Sequence, residues 1–214
     1  MPLARSNDPL VWIDCEVCPP STTLLNPTHP SPHTTFQMTG LDPNHDTILQ
    51  ICCFITDAHL NLLEPHGFET VIHHPDTALT TMSPWCIDTH ARTGLTAAVR
   101  ASTTTAADAA DSLLAYIRRH IAAPRTALLA GNSVHADKAF LARDPYAKVL
   151  EYLHYRILDV SSLKEAVRRW GSEEVLARVP PKREVHLARE DILESIEEMR
   201  FYREVLFGKS VDTK

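Results

Sequence analysis

The chain has 214 residues, 44% hydrophobic and 22% charged, enough for one compact domain with a substantial core. Its formal net charge of −6 at pH 7 excludes a basic groove that grips long nucleic acid nonspecifically, while leaving room for a small anionic substrate held by a few local cations or metals. Five cysteines, an odd number, give no disulfide framework; no apolar run nears the roughly 20 residues that span a bilayer; and residues 1–8 carry neither a secretory nor a transit pattern, so a cytoplasmic protein is expected.

Taken in chain order, residues 10–13 (LVWI) form an apolar run that ends in Asp14-Cys15-Glu16 and reads as a buried strand. Residues 17–37 follow with Pro, Ser, Thr and His and no periodicity. Cys15-x2-Cys18 and His29-x3-His33 have the outline of a C2H2 zinc finger, but the ten-residue spacer is shorter than the usual one of about 12. Pro30 and Pro32 would also break the helix that both histidines must share. The tract is therefore expected to be a disordered loop. Residues 47–56 (TILQICCFIT), 60–63 and 68–72 suggest three further strands in a meander. Residues 104–121 carry Ala107, Ala110, Leu114, Ile117 and Ile121 at helical spacing. Residues 126–130 (TALLA) read as a buried strand before Gly131-Asn132-Ser133, with a helix beginning near His135. A short strand at 157–158, a helix at 160–170 and a final helix at 188–206 complete the series. Residues 178–184, with Pro180-Pro181, suggest a mobile loop, and residues 208–214 a flexible tail. Strands first, then alternating helices and strands, predict an α/β fold with a mixed central sheet flanked by helices in a single domain.

Asp14 and Glu16 stand two apart on a strand, so both side chains point to one face. At a strand end they repel each other unless a cation lies between them. Asp137 lies where a helix follows a buried strand, a frequent place for catalytic side chains in α/β folds. Asp191 heads the final helix, with His186 five residues earlier. Four carboxylates from three elements can hold two Mg²⁺ or Mn²⁺ ions roughly 3.5–4 Å apart around a phosphodiester, and oxygen-only ligands favour those ions over zinc. The unperturbed pKa of a histidine, near 6.5, suits His186 to deprotonate the attacking water. Singly, Asp137 and Asp191 could equally serve as helix N-terminal charges, and His186 as a loop histidine.

The segments LVWIDCE, MTGLDPNHDTILQICCFITDAHLNLL, MSPWCIDTHARTGL, GNSVHADKAFL, YLHYRILDVSSLKEAVRRW and HLAREDILESIEEMRFYR resemble, in order, the oligoribonuclease family of DEDDh-type 3′→5′ exoribonucleases. The resemblance spans nearly all of residues 10–207. It implies an RNase H-like exonuclease fold, a homodimer, and hydrolysis of very short single-stranded RNA to mononucleotides. It assigns metal binding to Asp14, Glu16, Asp137 and Asp191, and the general base to His186. It further implies that Leu41 wedges between bases, that Trp85 stacks on one, and that His90 lies on the substrate side. Ser133, with Tyr155 and Arg156 of the partner subunit, would cap the 5′ phosphate. Few, local contacts of this kind reconcile RNA binding with an acidic chain. Two alternatives stand beside this reading: a related exonuclease acting on DNA ends, or a catalytically impaired nucleotide-binding dimer.

One departure from the family is large. The family passes directly from its acidic pair to a Met-Thr-Gly-Leu turn, whereas here residues 17–37 intervene, 21 residues or 63 nucleotides in frame. Val17-Cys18 and Gln37 can be encoded by a familiar splice donor and acceptor. The tract is thus a candidate translated intron, with a genuine surface loop as the rival.

Overall fold

The computed structural model describes residues 6–18, 42–181 and 187–208. Leu41, His186, most of the 17–37 tract and residues 209–214 lie outside the described residues, as does part of the expected 178–184 loop.

The sheet is built on β1 (Leu10–Cys18), which is buried from Leu10 to Ile13. The next strand, β2 (Thr47–Thr56), pairs with it antiparallel, and β3 (Phe68–Val71) pairs antiparallel with β2. On the other side β4 (Leu128–Gly131) and β5 (His154–Asp159) add in parallel, giving the order β3-β2-β1-β4-β5. The period-two alternation of β1 sorts its side chains between two cores. Val11, Ile13 and Cys15 join the core on the face covered by α4 (Ala106–His120), α5 (His135–Leu141) and α6 (Ala147–Tyr152). Leu10 and Trp12 join the core beneath α7 (Val160–Trp170) and α9 (Ala188–Phe207). Buried Trp12 places its indole N–H on Thr56 Oγ1 at 3.0 Å, so its one polar atom is satisfied.

A third, smaller core of Leu49, Leu79, Met82, Cys86, Leu95 and Val99 is built from α1 (Asp76–Thr80), α2 (Pro84–Arg92) and α3 (Leu95–Ala101) against β2. The sequence reading did not anticipate these three helices, nor α6 or α8 (Glu173–Leu176), because each is short and most carry too few apolar repeats to show a stripe. Start signals are nevertheless present: Ser83 caps α2 by accepting from the Cys86 amide, with Pro84 in its first turn.

The expected strand at 60–63 does not form. Asp57 Oδ1 takes the amides of both His59 and Asn61 at 2.8 Å, which turns the chain, and Leu60 sits at φ 67°. Only an isolated bridge between Thr56 and Leu62 remains. Here local side-chain capture of backbone amides outweighs β propensity. The strand leading into the 17–37 tract is also longer than its sequence suggested. After a bulge between Glu16 and Val17, Val17 pairs with Ile48 and Cys18 with Thr47.

Candidate active site

Asp14 and Glu16 continue the Leu10–Trp12 face of β1, so they point toward α9. That helix presents Asp191 in its first turn. Asp14, Glu16 and Asp191 each offer a carboxylate oxygen within 4.8 Å of the other two. Asp137 arrives from the first turn of α5. It is buried, and its Oδ1 accepts the Cys15 amide at 3.0 Å, which ties α5 to the β1 residue between the two acids. The pairing of β1 with β4 ends at Trp12–Ala130, so the acids lie beyond the carboxyl end of β4. This is the crevice in which α/β sheets bind ligands.

Burial first, and then the charges of Asp14, Asp191 and Asp137, push the Glu16 carboxyl well above its usual range. Burial and the nearby Asp14 charge do the same to Asp137, partly opposed by the Cys15 amide. Carboxylates forced together in this way need compensating positive charge. The set offers hard oxygen donors, which suit divalent Mg²⁺ or Mn²⁺.

Helix α2, whose Cys86 is near enough to act on the Glu16 carboxyl, carries Trp85, half-buried against the Leu49–Leu79 core. His90 is 3% exposed, and its Nε2 meets no hydrogen-bond partner among the described residues. Ser133 occupies the turn between β4 and α5 at φ 51°, an unusual conformation for a non-glycine residue. Its amide donates to Asp159 Oδ1 at 3.0 Å and to Ser161 Oγ at 2.7 Å. Tyr155 is 72% exposed at the start of β5, stacked on His154, with the Arg156 guanidinium 5.4 Å above its ring. The sequence reading missed Asp159, Ser161, Asn132 and Glu198, which hold the Ser133 turn. Asp159 was legible as the cap of α7, where it accepts from the Ser161 amide. Glu198 lies seven residues beyond Asp191 on α9, and hence on the same helix face.

The model of the RNase T exonuclease family matches residues 36–199, more than half of the chain. An oligoribonuclease of Mycobacterium sp. (strain KMS) is 44% identical over 200 residues, spanning 94% of this chain and 82% of the relative. The chain belongs to the oligoribonuclease family. A mitochondrial oligoribonuclease of Bos taurus is 46% identical over 179 residues, covering 83% of this chain and 73% of the relative. That of Saccharomyces cerevisiae is 42% identical, covering 91% and 66%. As a family member the chain is a nuclease, a 3′→5′ exoribonuclease whose substrate is nucleic acid. Among solved structures, Mg²⁺- and Mn²⁺-bound S. pombe Pop2p superposes with a TM-score of 0.62 at 16% identity, covering 96% of this chain and 86% of that one. E. coli ExoI in a complex with single-stranded DNA gives 0.61 at 15%, covering 95% and 42%. These likenesses establish the RNase H-like exonuclease fold. Among the described residues, no helix is long and apolar enough to cross a membrane.

Proposed function

We propose that this oligoribonuclease removes mononucleotides from the 3′ end of very short single-stranded RNA, with two Mg²⁺ or Mn²⁺ ions held by Asp14, Glu16, Asp137 and Asp191. The observation that carries the reading is the convergence of Asp14, Glu16 and Asp191 within 4.8 Å at the end of β1. When bound, the ions would lower the pKa of a water and neutralise charge developing on the phosphate. His186 takes the proton of the attacking water as the terminal phosphodiester opens. Trp85 stacks on a base, a contact that tolerates any sequence, and Leu41 wedges against the neighbouring base. Buried His90 holds a spare ring nitrogen for the substrate. Ser133 caps the 5′ phosphate together with Tyr155 and Arg156 of the partner subunit in a homodimer, Arg156 being able to grip a phosphate with two parallel hydrogen bonds. The exposure of the Tyr155–Arg156 pair supports its presentation to another subunit.

The experiment compares matched RNA and DNA di- to pentanucleotides. Faster release of mononucleotides from RNA, greatest for the shortest chains, is expected. Equal or faster hydrolysis of DNA would favour a DNA-end exonuclease instead.

A further inference from the structure

A chain of partly buried hydrogen bonds runs from α9 to Ser133, and every proton in it has one consistent placement. Glu198 is 2% exposed. One carboxylate oxygen accepts the Tyr202 hydroxyl at 2.8 Å and lies 3.3 Å from Lys164 Nζ. The other accepts Asn132 Nδ2 at 3.0 Å. A carboxylate can only accept, so it fixes which end of the Asn132 amide faces it. The second proton of Asn132 Nδ2 goes to Ser195 Oγ at 2.9 Å, and Ser195 passes its own proton to the Asp191 carbonyl at 2.7 Å. Asn132 Oδ1 must then face Ser161, which donates to it at 3.1 Å. The single proton of Ser161 is thereby used, so in the 3.0 Å contact between the two hydroxyls Ser133 is the donor.

We infer that Glu198 is a positioning residue for 5′-phosphate recognition: through Asn132 and Ser161 it fixes the backbone turn of Ser133, from which the Ser133 hydroxyl swings off Ser161 to donate to the phosphate, and through Ser195 it joins that turn to the α9 turn carrying Asp191. The inference rests on the proposed role of Ser133. Ser133 keeps its φ of 51° because its amide is held by two acceptors and its hydroxyl by a third contact, a strained position over-determined by its surroundings. In Glu198→Gln the new amide either faces the Asn132 amide donor-to-donor or gives up the Tyr202 and Lys164 contacts. The Asn132 orientation is then no longer imposed, and the hydrogen bonds that hold the Ser133 turn through Ser161 are weakened.

The experiment measures kcat/KM for a 5′-phosphorylated diribonucleotide and for its 5′-hydroxyl counterpart, and takes the ratio. In Glu198→Gln this ratio should fall about three- to tenfold, the scale of one hydrogen bond. Ser161→Ala, which breaks the chain at a half-buried position without burying a charge, should give the same fall and serves if Glu198→Gln folds poorly. Combining either with Ser133→Ala should add no further loss to that of Ser133→Ala alone. A general structural role would lower both substrates alike and leave the ratio at the wild-type value; that result, or losses that multiply with Ser133→Ala, overturns the inference. A wild type that shows no preference for the 5′ phosphate, by contrast, removes the role of Ser133 itself.

Discussion

Asp14, Glu16 and Asp191 meet at a half-buried site, and without a cation each raises the cost of ionising the others. The consequence for stability has a definite sign. The Glu16 carboxyl titrates well above its ordinary 4.5 in the folded chain, because of burial and then the charges of Asp14, Asp191 and Asp137. The folded state therefore keeps a proton that the unfolded state has already lost, and the metal-free fold weakens as pH rises from about 4.5 through the raised value. Glu16→Gln should raise the Tm of the metal-free protein by several degrees at pH 8, with the gain shrinking toward pH 4.5, while abolishing turnover. Mg²⁺ should restore the wild type at pH 8 and do little for the variant. Thermal scans with and without EDTA check this, and a variant less stable than wild type at pH 8 would show that Glu16 is not held against like charge. The acids were legible because strand spacing puts Asp14 and Glu16 on one face. The Glu198–Asn132–Ser133 chain was not, since its partners are 28 to 66 residues apart and only the fold brings them together. Leu41, assigned by family resemblance, and His186, assigned by its place before Asp191 and by the resemblance, both lie outside the described residues.

Helix α7 shows when an element is readable: its expected span of 160–170 matches the fold, with Asp159 capping its start and Gly171 closing its end. Helix α9 shows what periodicity misses. Its arginines do not simply face solvent; they bind the loops between β2 and β3, Arg203 to the His59 carbonyl, Arg200 to the Leu60 carbonyl and Arg189 to those of Pro65 and His66. Arg189 also lies 4.9 Å above the Phe54 ring. The turn at residues 64–67 is thus held between sheet and helix, with Tyr116 of α4 donating to Glu64 at 2.8 Å. Gly67 makes the close approach possible: at φ 69°, an added Cβ would stand 2.7 Å from the Phe54 ring. Gly67→Ala should cost about 2–4 kcal/mol, combining left-handed strain with overpacking, read as a lower urea midpoint at unchanged slope. Because the turn also holds Arg189, two residues before Asp191, activity should fall with it. A midpoint equal to wild type would show that the turn is free to lift away.

At the scale of the whole chain, the 17–37 tract separates Asp14 and Glu16 from Leu41 along the sequence. The family model begins its match at residue 36, so Asp14 and Glu16 lie before the matched region. Removing residues 17–37 would bring Met38 and Thr39 into the strand positions of Val17 and Cys18, opposite Ile48 and Thr47, and would set Leu41 a single turn beyond Glu16. Closing a loop of this length costs only a few kcal/mol, so the fold tolerates it. Positioning is stricter, since about 1 Å of displacement can cost roughly a hundredfold in rate. The chain lacking residues 17–37 should therefore fold equally well and show a much higher kcat/KM on a 5′-phosphorylated diribonucleotide. Equal values would identify the tract as a genuine loop compatible with the site.

The carboxylates at the end of β1, if they hold the divalent ions that drive RNA hydrolysis, make turnover strictly metal-dependent. Single-turnover hydrolysis of a 5′-phosphorylated diribonucleotide, with the full chain in excess, across a Mg²⁺ titration and in EDTA, for wild type and Asp191→Asn, measures this dependence. Mononucleotide release by wild type should rise with Mg²⁺ and vanish in EDTA, and the variant should release none at any Mg²⁺ concentration. Release that persists in EDTA, or a variant that hydrolyses at the wild-type rate, would contradict it.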